Sequence, residues 1–265
     1  AVYQLRAGRL FLARDRMGDR PLFYALRQGT LLFASELPAL LQSRLVEPVI
    51  GPQGVAEILL LGPGRMPGSG VYRGVSEVKP ARRLAFTAEG LRTERYWKLM
   101  DRVHEEGPEE TLERTRFLTL DAVSRQIARG EPASLFLSGG LDSSILCAVM
   151  AEAYRRAGAP LRTYSVAYED DKAYFHAGKF EPGDDGPFIR RMAEESGAIH
   201  TEVLLGAREL ADALGDAVRA RGLPGMADID ASMLPLCQKA REAGEAVLSG
   251  ECADEVFGGY PWYID

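Results

Sequence analysis

Apolar and polar residues alternate with a period of two in four short runs, at 2–6, 9–13, 22–26 and 31–34, joined by glycine and polar turns. That texture predicts an antiparallel meander. Short helices are predicted near 37–42 and 53–61, a Gly/Pro-rich loop at 62–70, and two more strands near 83–87 and 92–97. The charged segment 101–108, which carries Gly and Pro, reads as a linker. From residue 109 the period changes to that of a helix, which runs through about residue 129. Beyond it, short apolar runs alternate with helical stretches: strand 134–137, helix 143–156, strand 162–167, helix 187–196, strand 198–205, helices 209–221 and 231–243, and strand 246–249. Strand and helix in regular alternation predict a parallel α/β sheet. The expected organisation is therefore a first domain at 1–100, a linker at 101–108 and a second domain at 109–265.

Two strand ends in the second region carry unusual chemistry. In Leu135-Phe136-Leu137-Ser138-Gly139-Gly140-Leu141-Asp142-Ser143-Ser144 an apolar run enters a Ser-Gly-Gly turn and then a helix start. Paired glycines let backbone approach an oxyanion closely, and the first turn of the helix offers free N–H groups and a positive dipole end. Ser138, Ser143 and Ser144 add hydroxyl donors. Asp142 is unsuited to touching an anion directly, so an Asp here implies a cation between carboxylate and phosphate. Mg²⁺ takes one or two carboxylates together with phosphate oxygens and fits that need. Further along, Ala246-Val247-Leu248-Ser249-Gly250-Glu251 repeats the strand, Ser-Gly and acid pattern, and Cys252 to Tyr260 reads as a short helix stopped by glycines. Ligands of open parallel sheets sit beyond the carboxyl ends of the strands, so the two turns can face one crevice. Asp142 and Asp254 would then share the metal, with Glu251 a third carboxylate near the substrate. Taken alone, these acids also fit N-capping or a first-turn helix-dipole role.

Together, the segments 138–144 and 249–260 resemble the synthetase domain of glutamine-hydrolysing asparagine synthetases, which belong to the PP-loop ATP pyrophosphatases. Ala13-Arg14-Asp15-Arg16-Met17-Gly18-Asp19-Arg20-Pro21-Leu22-Phe23-Tyr24 and Phe33-Ala34-Ser35-Glu36-Leu37 resemble the end of that family's glutaminase domain, and Arg95-Tyr96-Trp97 its linker. The resemblance implies a parallel-sheet PP-loop domain of the adenine nucleotide α-hydrolase-like type, preceded by a partial α+β glutaminase-type (Ntn-hydrolase) domain. It implies ATP and Mg²⁺ as cofactors. It also implies aspartate and ammonia as substrates, the ammonia coming from glutamine in the full-length parent. In such enzymes the aspartate side chain attacks the α-phosphorus to give β-aspartyl-AMP and pyrophosphate, and ammonia then displaces AMP. Matched positions assign adenine and ribose contacts to the strand-end backbone at Phe136, Leu137, Val166, Ser249 and Gly250. Glu251 and Asp254 are the candidate catalytic residues, Glu251 organising the intermediate or accepting a proton from ammonia.

Two departures shape the expectation for this chain. The family's glutaminase nucleophile is an N-terminal Cys, whereas residue 1 is Ala and the cysteines are Cys147, Cys237 and Cys252. Family members also continue beyond the second motif with a helical segment that includes a catalytic Lys. The chain is thus expected to be an internal piece, inactive in glutamine hydrolysis and impaired as an enzyme. Lys79-Pro80-Ala81-Arg82 stands where the family usually has Pro-Pro-Gly-His. Truncation is also expected to leave sheet edges that pair between copies through residues 1–35, as in a possible homodimer. An amide-forming cyclase of the β-lactam synthetase or lasso-peptide type, or a nucleotide-binding piece without catalysis, are the alternatives.

Composition narrows the rest. A net charge of −6 with no long basic run argues against nucleic acid, and no apolar run reaches the roughly 20 residues of a membrane span. Three widely spaced cysteines exclude a Cys-x-x-Cys metal site and suit a reducing, cytoplasmic setting. There is no Walker loop and no Gly-x-Ser-x-Gly elbow, and His104, His176 and His200 lack metal spacing, His200 being read as a satisfied strand histidine. The polar insertion 168–186, with Asp170-Asp171 and Asp184-Asp185, is longer than ordinary connections and reads either as a mobile cover over the nucleotide or as disordered surface.

Overall fold

A computed structural model describes residues 1–127, 133–169, 183–244 and 246–260. The chain divides into two compact units, one of Ala1–Val103 with Leu214–Asp230 and the other of His104–Ala213 with Ala231–Asp265.

The first unit holds two antiparallel sheets. One has the order β1-β2-β6-β7, built from Val2–Gln4, Arg9–Ala13, Arg82–Thr87 and Gly90–Arg95. The other has the order β4-β3-β5, from Thr30–Ala34, Phe23–Arg27 and Ser76–Glu77. The expected meander is thus broken between its second and third strands. Its cause is local: the Asp15 carboxylate gathers the N–H groups of Gly18, Asp19 and Arg20 at 2.7, 2.9 and 3.0 Å, and this loop carries the chain from one sheet to the other. Alternation along β3 then does two jobs. Tyr24 joins Leu12, Val78 and Leu84 in one apolar cluster. Phe23 and Ala25 face a second cluster with Leu37 and Leu40 of α1 (Leu37–Leu41) and with Ile58 of α2 (Pro52–Leu61). Leu223 completes that second cluster, and the Tyr72 hydroxyl donates to the Gly222 carbonyl at 2.6 Å, which fastens the 222–226 turn into the first unit.

In the second unit all four strands are parallel, in the order β10-β9-β8-β11: Ile199–Leu205, Arg162–Tyr168, Ala133–Phe136 and Ala246–Leu248. Helices α3 (Pro108–Ile127), α4 (Leu141–Ala157) and α5 (Gly186–Ser196) cover one face through Val123, Leu135, Leu137, Cys147, Met150 and Ile189. Helix α6 (Ala207–Arg221) leads by the 222–226 turn into α7 (Ala227–Glu242), whose Leu236 and Ala240 cover Tyr164, Phe136, Val166 and Val247 on the other face. Chain order places the site. From β8 the chain steps outward to β9 and β10, then returns to lay β11 on the opposite side of β8. A parallel sheet has its ligand crevice where the direction of winding reverses, so the switch point lies between β8 and β11.

Helix α3 carries Glu109 and Glu110 in its first turn, where acids complement the helix dipole. Residues 128–132 and most of the 168–186 insertion, with Asp170, Asp171 and His176, lie outside the described residues. No helix among the described residues is long and apolar enough to cross a membrane.

Candidate functional site

The loop after β8 is held rigidly from within. Its entry is fixed by the Leu137 N–H, which donates to the Tyr164 carbonyl at 2.8 Å beyond the last strand pair. Ser143 is buried, and its hydroxyl accepts from the Ser138 N–H at 3.2 Å, lies 3.0 Å from the Ser138 hydroxyl and donates to the Gly140 carbonyl at 3.2 Å. The Ser144 hydroxyl donates to the same carbonyl at 2.7 Å. Both hydroxyls make hydrogen bonds within the loop and so help to hold its shape. Helix α4 begins at Leu141, and the Ser144 N–H makes its first internal bond to the Gly140 carbonyl. The N–H groups of Leu141, Asp142 and Ser143 therefore precede any helical acceptor and remain the loop's anion-facing donors.

Gly139 is required twice over. Its φ of +84° lies in the left-handed region, and a Cβ there would fall 2.9 Å from the Asp185 carbonyl at the start of α5. No sequence signal marks that second contact.

The loop after β11 meets the first one. A Cβ on Gly250 would lie 3.2 Å from the Asp142 Cβ and 3.2 Å from the Ser143 N, so the Ser-Gly turn of the second motif packs directly on the helix start of the first. Beyond it the Glu251 N–H donates to the Ser249 hydroxyl at 3.2 Å, Cys252 takes a left-handed φ of +69°, and α8 (Ala253–Phe257) follows. The N–H groups of Gly258 and Gly259 return to the Asp254 carbonyl at 2.8 and 3.0 Å, curling the chain around that residue.

The electrostatics of this rim are those of crowded acids. Burial, and then the negative charge of Asp254, push the Asp142 carboxyl above its ordinary value. Tyr260, whose hydroxyl lies 3.4 Å from Glu255, has its phenol pushed up by burial and then by the fields of Glu255, Asp254 and Glu251. Asp142, Asp254, Glu251 and Gly250 thus gather at one rim, and Tyr260, the last residue of the second motif, joins them. Among the described residues no three His, Cys, Asp or Glu side chains group tightly enough to hold a metal alone. Two carboxylates that feel each other's charge are what a divalent cation needs when phosphate oxygens complete its shell, and a cation there would offset the part of the Asp142 shift that Asp254 adds to burial.

Other candidates fall where strand geometry puts them. The side chains of Phe136 and Val166 pack in the apolar cluster against α7, which leaves their backbone as the part that a ligand could meet. His200 is fully engaged in the sheet, its Nδ1 2.9 Å from the Thr163 hydroxyl and its Nε2 3.1 Å from that of Ser165, and burial lowers its pKa.

Sequence comparison decides the lineage of these motifs. The asparagine synthase family profile matches residues 114–265, more than half of the chain and the whole of this rim. The chain belongs to the asparagine synthase family. A glutamine amidotransferase domain profile matches residues 1–97. Among curated relatives, asparagine synthetase [glutamine-hydrolyzing] 3 of Bacillus subtilis is 42% identical over 99% of this chain and 43% of its own length. A putative asparagine synthetase [glutamine-hydrolyzing] 2 of Methanocaldococcus jannaschii is 26% identical over 100% of this chain and 49% of its own length. The human asparagine synthetase [glutamine-hydrolyzing] is 28% identical over 96% of this chain and 44% of its own. The chain therefore spans less than half the length of these relatives.

Proposed function

We propose that the second unit binds ATP and activates the side-chain carboxylate of aspartate as its adenylate, releasing pyrophosphate, and that ammonia then displaces AMP to give asparagine. One observation carries the reading: Gly250 lies against Asp142, and the charge of Asp254 reaches the same carboxyl, at the switch point of a parallel sheet. In the longer protein the ammonia would come from glutamine through the amidotransferase-type region, with domains at 1–100 and 109–265 and a cytoplasmic location.

Each part has a chemical task. The N–H groups that open α4 and the Ser138-Gly139-Gly140 backbone hold the polyphosphate in a fixed cradle, so charge developing on the leaving pyrophosphate meets preorganised donors. Asp142 and Asp254 are the residues that would hold Mg²⁺, which when bound would supply charge neutralisation for the phosphates and the leaving pyrophosphate. Ser143 and Ser144 help to keep the cradle in shape. Backbone at Phe136, Leu137, Val166, Ser249 and Gly250 places adenine and ribose at the strand ends. Glu251, exposed at the rim, organises the acyl intermediate or takes a proton from the attacking ammonia.

Pyrophosphate release tests this directly. With ATP, Mg²⁺ and ammonia, release that requires aspartate is expected from the longer protein carrying this chain, and Asp254→Asn is expected to abolish it. Release that ignores aspartate but responds to another carboxylic acid would overturn the choice of substrate.

A further inference from the structure

Tyr168 closes β9, opposite Leu205 at the end of β10, and the next backbone N–H, that of Glu169, donates to the Leu205 carbonyl at 3.1 Å. The strand end is therefore fixed up to its last rung. Alternate residues Tyr164, Val166 and Tyr168 share one face, and the inner two pack with Phe136 in the cluster beneath α7. Tyr168 is the outermost of the three. Its hydroxyl lies 2.9 Å from the hydroxyl of Ser232 on α7, and Ser232 is only 5% exposed whereas Tyr168 is 43% exposed.

A tethered, half-open ring is not by itself the sign of a ligand: Tyr96 in the first unit is equally exposed and donates its hydroxyl to the carbonyl of the buried Arg14. What sets Tyr168 apart is its place at a strand end. Here the polar tip is anchored inside while much of the ring stays open, at the carboxyl end of a central strand where a parallel sheet receives its ligand. A rigid, half-open aromatic face two residues beyond Val166 suits a flat aromatic partner. The nucleotide assigned to this crevice carries one.

We propose that Tyr168, held by Ser232, is a positioning shelf on which the adenine ring of ATP rests. The inference builds on the nucleotide reading given above. Stacking of a base on an aromatic side chain is tolerant of base identity, so the shelf contributes affinity and orientation rather than choice of base.

Mg²⁺ tripolyphosphate, which has no base, separates the shelf from the cradle. In equilibrium binding by calorimetry, Tyr168→Ala is expected to weaken Mg·ATP by about tenfold and to leave Mg tripolyphosphate unchanged. Tyr168→Phe, which preserves the ring and the packing, and Ser232→Ala are each expected to weaken Mg·ATP by about threefold, the worth of a single hydrogen bond. The Phe and Ala changes together should be no worse than either alone, because both remove the same bond. Equal weakening of both ligands by Tyr168→Ala, or no change in either, would overturn the shelf while the nucleotide reading stands. A wild-type chain that binds neither ligand would end both.

Discussion

The two units treat charge in opposite ways. In the first, Arg14 and Glu77 are both buried and meet at 3.0 Å, Arg14 also donates to the Val78 and Gly18 carbonyls at 2.9 and 2.8 Å, and Arg65 approaches the second Glu77 oxygen at 3.4 Å. In this cluster opposite signs meet within the unit. At the rim of the second, burial and then the like charge of Asp254 raise the pKa of Asp142 rather than lowering it. Charge that is compensated internally holds a fold together, whereas like charge brought together at a strand end is a place prepared for something else. Regions of similar acidity in the sequence thus acquire different meanings only when their partners are known.

The largest expected effect is structural and belongs to the first unit. Glu77→Ala leaves the buried Arg14 without its counter-charge and is expected to cost about 3–5 kcal/mol. Calorimetry should show an earlier transition for the first unit, and an unmoved transition would mean that the pair is not holding the two sheets together. Next comes Gly139→Ala, which forces a side chain into a left-handed φ and against the Asp185 carbonyl, for an expected loss of about 1–3 kcal/mol in the second unit. A variant as stable as the parent would show that the loop can relax without its glycine.

The smallest effects are the most discriminating, because they differ in sign. Burial alone would push the Asp15 carboxyl up, but donation from the Arg20, Asp19 and Gly18 N–H groups outweighs it and holds the pKa below the ordinary carboxylate value. Its stabilisation is therefore complete above the unfolded-state pKa and is lost as pH falls through the lower folded value. Asp142 is the reverse case: its raised folded pKa means that the native state binds the proton more tightly, so its penalty is absent in acid and complete once pH rises above the folded value. At neutral pH, and without ligand, Asp15→Asn should lower the thermal midpoint and Asp142→Asn should raise it slightly. Both differences should shrink in acid, and shifts of the same sign at neutral pH would contradict the contrast between the units.

Much of this is legible in the sequence, for reasons of period and local chemistry. Buried parallel strands tend to be short apolar runs, so β8 and β11 stand out, whereas β9 shows through the alternation of Tyr164, Val166 and Tyr168 with smaller or polar residues; the glycines and acids that follow β8 and β11 mark the rim before any strand pairing is known. The first unit reads less well. Its strands are recognisable singly, but whether β2 continues to β3 or to β6 depends on the Asp15 loop and on partners seventy residues away in sequence, such as Leu12 opposite Leu84. Strand β5 has only Ser76 and Glu77 and carries no alternating pattern to read. At the site the residues are visible but their mutual bonds are not: nothing in the sequence shows that the Ser143 hydroxyl ties the Ser138 N–H to the Gly140 carbonyl. Tyr168 gives no signal at all, because its meaning lies in a bond to Ser232, 64 residues further on.

The proposed sharing of a metal by Asp142 and Asp254 is tested most directly by titrating ATP into this chain with and without Mg²⁺, alongside Asp142→Asn and Asp254→Asn. Two carboxylates clasping one ion against the phosphates predict that Mg²⁺ strengthens ATP binding to the parent. They also predict that either single substitution removes most of that gain, on the order of 100-fold. ATP binding that is indifferent to Mg²⁺, or a magnesium gain that survives in both variants, would contradict it.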